Sequence, residues 1–233
     1  MSDLLHFSEH TLQEAALIIM AIVYTLRIRW LFSFKSGRDR QAQTGAPDTT
    51  PRKGIIYSWA AIAMPWTMES TRTKWFFYMQ FIIFHIGVTL AILLSFIIPY
   101  APDLLANNPT IITVFQVLIG AAFFIGCYRL IRRITNIYVR AISSPDDYFS
   151  VILLTVWFAF AFFAVPNHYQ QGEGILITYF FLTAFFLIYV PFSKISHYLY
   201  YPFARYWFGK TMGHRGVFPI RHVVKKGGVE YGN

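Results

Sequence analysis

Five apolar runs, each long enough to cross a bilayer, constrain this chain more than any other feature. They cover residues of about 12–33, 76–99, 110–130, 149–166 and 174–199. A membrane-crossing helix needs roughly 20 such residues. Charged residues make up 13% of the chain, against about 25% in a soluble domain. The expected fold class is therefore all-α, an integral membrane bundle of five transmembrane helices. The fourth run is short at its far end, where Pro166 stops it.

Basic residues fix the expected orientation. Lys and Arg number nine over 27–74, four over 129–140 and seven over 194–226, which accounts for all 20. The first 26 residues and the connections at about 100–109 and 167–173 carry none. The positive-inside rule then predicts the N-terminus outside and the C-terminus in the cytoplasm. The net charge of +9 is mostly topology, with some attraction to anionic headgroups, and calls for no nucleic acid. The leader MSDLLHFSEHTLQEA is acidic and lacks an A-x-A-like cleavage site. The first run is therefore expected to stay as a helix and not to be removed as a signal peptide. A single cysteine, Cys127, excludes a disulfide framework or a cysteine-ligated cluster within the chain and fits small core packing.

The connections divide the chain further. Residues of about 34–74 form a long cytoplasmic loop. Its SGRDRQAQTGAPDTTPRKG stretch predicts flexibility. Its IIYSWAAIAMPWTM stretch, broken by Pro65, predicts an interfacial segment or a docking surface for a cytoplasmic partner. Arg129, Arg132, Arg133 and Arg140 gather at the inner boundary. They are expected to be snorkelling anchors, or in part the partners of haem propionates. Ser144-Pro145 followed by Asp146 and Asp147 predicts a helix N-terminus. The domain reading is a five-helix membrane domain over 1–205 and a basic cytoplasmic tail over 206–233, too short for a domain of its own. No internal repeat is visible, which argues against a secondary transporter.

Two of the seven histidines lie within apolar sequence: His85 in FIIFHIGVTLAILL and His197 in FFLIYVPFSKISHYLYY. Ionisable groups are costly in hydrocarbon, and those that remain usually mark a site or an ion path. His85 is eleven residues beyond Lys74 and His197 eight before Arg205, about 16 Å and about 12 Å of helix at 1.5 Å per residue. Continuous second and fifth helices would bring both to similar depth in the cytoplasmic half. Two imidazoles on facing helices can ligate one haem iron from both sides. The alternative is a pair that only hydrogen-bonds.

Around these residues the chain resembles a known family. FHIG at 84–87 and PFSKISHYL at 191–199 are similar to the second and fifth helices of the cytochrome b (gamma) subunit of respiratory nitrate reductase, and RRITNIYVRA at 132–141 resembles the loop before its fourth helix. The wider family includes membrane subunits of sulfite-reductase-associated and heterodisulfide-reductase-type complexes. The resemblance implies a prokaryotic cytoplasmic-membrane protein in which His85 and His197 ligate an inner haem b. The family holds a second, outer haem through histidines ten residues on in helix two and eighteen back in helix five. Here those positions are Ser95 and Tyr179, so one bis-histidine haem is expected and the usual outer quinol site is in doubt. His6, His10 and His168 are the remaining outer-side histidines, in terminus and loop.

The expected function is that of an electron-transfer subunit, not catalytically complete alone. It would pass electrons between a membrane quinone and a cytoplasmic iron–sulfur subunit, with other subunits and lipid as further partners. Ser95, Tyr179, Gln116 and Thr183 are candidate quinone contacts; for Gln116 and Thr183 interhelical hydrogen bonding is the simpler expectation. The other readings are a haem-free anchor or assembly subunit and a small-solute transporter.

Overall fold

The structure is a computed structural model and describes residues 1–35, 37, 39–64 and 69–220. Among these residues are eleven α-helices: α1 Asp3–Glu9, α2 Thr11–Ser33, α3 Pro51–Ala63, α4 Glu69–Thr73, α5 Trp75–Tyr100, α6 Asp103–Ala106, α7 Pro109–Thr135, α8 Ile137–Ala141, α9 Pro145–Ala164, α10 Gly174–Tyr189 and α11 His197–Arg215. Among the described residues there is no strand. Among the described residues five stretches are long and apolar enough to cross a membrane: Asp3–Ser33, Trp75–Tyr100, Pro109–Thr135, Pro145–Ala164 and Gly174–Phe192. The chain divides into two compact units, one of Met1–Ser33 with Trp75–Ser196, the other of Phe34–Lys74 with the chain from His197 onward.

The first unit is the bundle. Helix α7 packs between α5 and α9, and α10 packs on both α9 and α2. Leu94, Ile119, Ala122, Trp157, Phe158, Tyr179 and Phe180 form its core. Small residues let the helices approach, as membrane packing requires. A Cβ on Gly87 would come within 2.2 Å of the Ala122 Cβ, so any larger residue there would push α5 away from α7. Helix α9 starts where the sequence predicts. Pro145 is at its first position, and Asp147 accepts hydrogen bonds from the Ser144 backbone N–H and hydroxyl, both at 2.8 Å. It ends at Ala164, just before Pro166.

Two boundaries differ from expectation in this unit. The first apolar run begins earlier, because His6 lies in α1 and His10 links α1 to α2, where the sequence reading has a loose terminus. The fifth run does not continue to 199. Helix α10 ends at Tyr189 and is followed by 3₁₀ turns at Val190–Phe192 and Lys194–Ser196. Pro191 cannot donate a backbone hydrogen bond. Ser193 and Ser196 draw the backbone into local bonds, Ser193 Oγ donating to Val190 O at 3.1 Å and Ser196 Oγ to Ser193 O at 2.8 Å. Lys194 is fixed in this turn by Asp147 at 2.9 Å and Ser144 at 2.8 Å.

The second unit pairs the expected flexible loop with the start of the basic tail. Helix α3 is capped by Thr50, whose hydroxyl accepts from Lys53 N, and Pro51 is its first residue. It packs along α11. A Cβ on Gly209 would lie 2.6 Å from Gly54 O, so both helices need glycine at the crossing. Side chains close the pair: Ser58 Oγ donates to Arg205 O at 2.9 Å, and the Arg205 guanidinium donates to Ser58 O at 2.7 and 3.1 Å. Gly45 and Ala46 N–H donate to the carbonyls of Arg215 and Gly216, each at 3.0 Å. The segment 39–50 is therefore anchored to the end of α11, although its composition predicts flexibility. Phe218 packs on Tyr57 and Phe208. The break expected at Pro65 and the end of the tail, 221–233, lie outside the described residues.

Candidate haem and quinone residues

Helix α5 presents two faces. Phe84, Gly87, Ala91, Leu94 and Ser95 turn into the bundle. Phe81, His85 and Thr89 lie on the exposed face. His85 Nδ1 is 2.7 Å from the Phe81 carbonyl oxygen. That oxygen can only accept, so Nδ1 carries a proton and donates it. Phe81 also packs on the imidazole, with centroids 4.0 Å apart. A backbone bond that fixes tautomer and ring orientation is the usual support of a metal-ligating histidine. Beside it an open apolar hollow of about 310 Å³ is lined by Phe81, Ile82, His85, Ile86, Thr89 and Leu90. The hollow is apolar apart from His85 and Thr89, and all of its lining comes from α5.

His197 is exposed and opens α11. It belongs to the second unit, whereas His85 belongs to the first. The fifth helix is not continuous up to His197, because the turns at 190–196 separate it from α10, so helical rise does not fix its depth.

The boundary arginines divide into two kinds. Arg129 lies 4.5 Å over the Phe84 ring and Arg132 4.6 Å over the Phe77 ring, both residues of α5. Neither has a carboxylate partner among the described residues. Arg133 is already committed, donating to Ser143 Oγ at 2.6 Å and standing 3.9 Å from Asp147 Oδ2. Arg140 is exposed on α8. Cys127 is half-buried. Among the described residues no group of three His, Cys, Asp or Glu side chains is arranged to hold a metal ion.

The positions where the resembled family has outer histidines are filled. Tyr179 is wholly buried, and its hydroxyl donates to Ala91 O. Thr183 Oγ1 donates to Tyr179 O at 2.7 Å and accepts from Trp157 Nε1 at 2.8 Å. Trp157 stacks on Phe186, centroids 4.9 Å apart. Ser95 Oγ donates to Ile92 O at 2.7 Å. Tyr179 and Thr183 are thus spent in the core, and Gln116 makes only a long contact to Phe162 O at 3.4 Å. His168 is exposed before a 3₁₀ turn.

Sequence reasoning missed Gln13. It is buried, its Nε2 donates to Ser8 O and Phe180 O at 3.0 and 2.7 Å, and its Oε1 has no partner. With Glu14, Ser95 and Tyr100 it lines a cleft of about 20 Å³, room for one water and not for a quinone ring. Glu14 accepts from the Tyr100 hydroxyl at 2.9 Å. Two adjacent polar residues at the start of an apolar run were the available signal. Comparison of the chain with family models, curated proteins and solved structures returns no match.

Proposed function

We propose that this chain is a haem-b membrane subunit that carries electrons between a membrane quinone and an iron–sulfur subunit on the cytoplasmic side. The observation that carries the reading is His85: an imidazole on the exposed face of a membrane-length helix, its Nδ1–H donated to Phe81 O, beside an apolar hollow. Bound haem would supply one-electron chemistry. His85 would be one axial ligand and His197 the second, as the resemblance implies.

In this reading Arg129 and Arg132, held against the aromatic rings of α5, are the candidates for propionate charge. Arg133 is the weaker candidate, because its Nη1 is bonded to Ser143 and lies 3.9 Å from Asp147, a carboxylate that Lys194 meets more closely at 2.9 Å. The filled region around Tyr179 supports one haem rather than two. The distribution of basic residues supports an outside N-terminus and a cytoplasmic C-terminus, and the resemblance implies a prokaryotic inner membrane. His85→Ala and His197→Ala, each alone, should abolish the low-spin haem spectrum of the purified protein. A full low-spin spectrum in either variant refutes that residue as a ligand.

A further inference from the structure

Helix α11 has a second working face. Gly209 and Gly213 press against α3. Trp207, Lys210, Thr211 and His214 follow one another at the i, i+3, i+4, i+7 spacing that makes one stripe. They line a hollow of about 690 Å³ whose other wall includes Lys35, Asp39 and Pro51, the first residue of α3.

The charges in this hollow are unbalanced. The Lys210 ammonium rests 4.8 Å over the Trp207 ring, and neither it nor Lys35 has a carboxylate partner among the described residues. The one acid, Asp39, is taken by Arg215, whose Nε and Nη2 lie 2.7 and 3.3 Å from its two oxygens. His214 Nε2 is 3.2 Å from Gln41 O. The N-terminal end of α3 adds its positive dipole at Pro51. Two uncompensated ammonium groups in a concave wall concentrate an anion, and lysine binds phosphate as a point charge. Trp207 and Pro51 offer apolar surface beside the charge. Lys35 stands two residues after Ser33, the end of a membrane-length stretch, a place along the chain where basic residues meet anionic headgroups.

We propose that this hollow binds a phosphate group, carried by the headgroup of an anionic phospholipid. The test uses the full-length protein in neutral detergent, followed by thermal melting. It is titrated with dihexanoyl phosphatidylglycerol, dihexanoyl phosphatidylcholine and inorganic phosphate in separate series. Phosphatidylglycerol should raise the melting temperature saturably, and phosphatidylcholine should bind at least about ten-fold more weakly. Lys35→Gln with Lys210→Gln should weaken phosphatidylglycerol by about ten-fold or more, while Arg140→Gln, outside the hollow, should leave it within about two-fold. If inorganic phosphate gives the same shift and abolishes the lipid effect, the phosphate site stands and its source is soluble. If the double variant melts like wild type without ligand yet binds phosphatidylglycerol equally well, the site is refuted. Equal binding of both lipids also refutes it. Should the double variant not fold, Lys35→Gln alone decides, since Lys35 lies outside the helices: about a three-fold loss supports the site and no loss overturns it.

Discussion

Two levels of α5, ten residues and about 15 Å apart, show opposite solutions to placing polar groups in a membrane bundle. At His85 the side chain stands on the exposed face, beside an open apolar hollow with walls from one helix. Around Ser95 every hydroxyl is absorbed. Tyr179 bonds Ala91, Thr183 bonds Tyr179, Trp157 bonds Thr183 and stacks on Phe186, and the only space beside Ser95 among the described residues is the small cleft shared with Gln13. A level built to accept a ligand keeps a donor pre-oriented and a wall unfilled. The hydroxyls around Tyr179 are satisfied within the core, since an unsatisfied polar group in that setting costs several kcal/mol; the Gln13 Oε1 beside the cleft is the exception. The contrast is why the proposal assigns one haem to the first level and none to the second.

The contrast can be broken most strongly at the closed level. Trp157→Ala removes a wholly buried indole and leaves Thr183 without its donor. It should destabilise the bundle by about 3–5 kcal/mol, measured by denaturation in detergent, while the variant that still folds keeps its haem. A loss of haem with no loss of stability would mean the core at Trp157 is itself part of the cofactor site. Tyr179→Phe deletes one hydroxyl and should cost about 1 kcal/mol, again with the haem spectrum unchanged.

At the open level, Arg129→Gln or Arg132→Gln should shift the haem midpoint potential downward, because a positive charge near a propionate favours the reduced iron. Arg133→Gln should move the potential less and stability more, since it breaks the contacts with Ser143 and Asp147. Equal potential shifts in all three would erase the distinction drawn between them.

The smallest effect is expected outside the bundle. The Arg215 guanidinium holds the Asp39 carboxyl below the usual carboxylate range, chiefly by hydrogen bonding. A depressed carboxyl stabilises above its unfolded pKa and loses that contribution only as pH falls through its lower folded value. The contact should therefore be intact from neutral pH down to about 4. Asp39→Asn should speed amide exchange at Gly45 and Ala46, whose N–H groups bond the end of α11, and leave the five spans untouched. Unchanged exchange there would show that the segment is held without Asp39.

The parts legible in the sequence were those governed by composition and local chemistry. Five long apolar runs needed no tertiary information, and Ser144-Pro145-Asp-Asp marked the start of α9 by capping alone. His85 stood out because imidazole is rare in such a run. The misses came from long-range pairing. Gly54 and Gly209 are ordinary loop residues in composition, yet they meet where α3 crosses α11 and make a structured unit of an apparent loop and tail. Pro191 marks a break in the sequence, but the turn after it depends on Ser193 and Ser196 bonding their own backbone, which composition does not reveal, and so α10 ends before His197. Gln13 went unnoticed because burial of a single amide leaves no periodic trace.

The central claim is one haem, at the level of His85 and not at the level of Tyr179. Pyridine haemochrome absorbance with protein quantitation on the purified wild-type chain tests it most directly. The account predicts one haem b per chain. Two per chain would contradict the closed region, and none would contradict the haem assignment altogether.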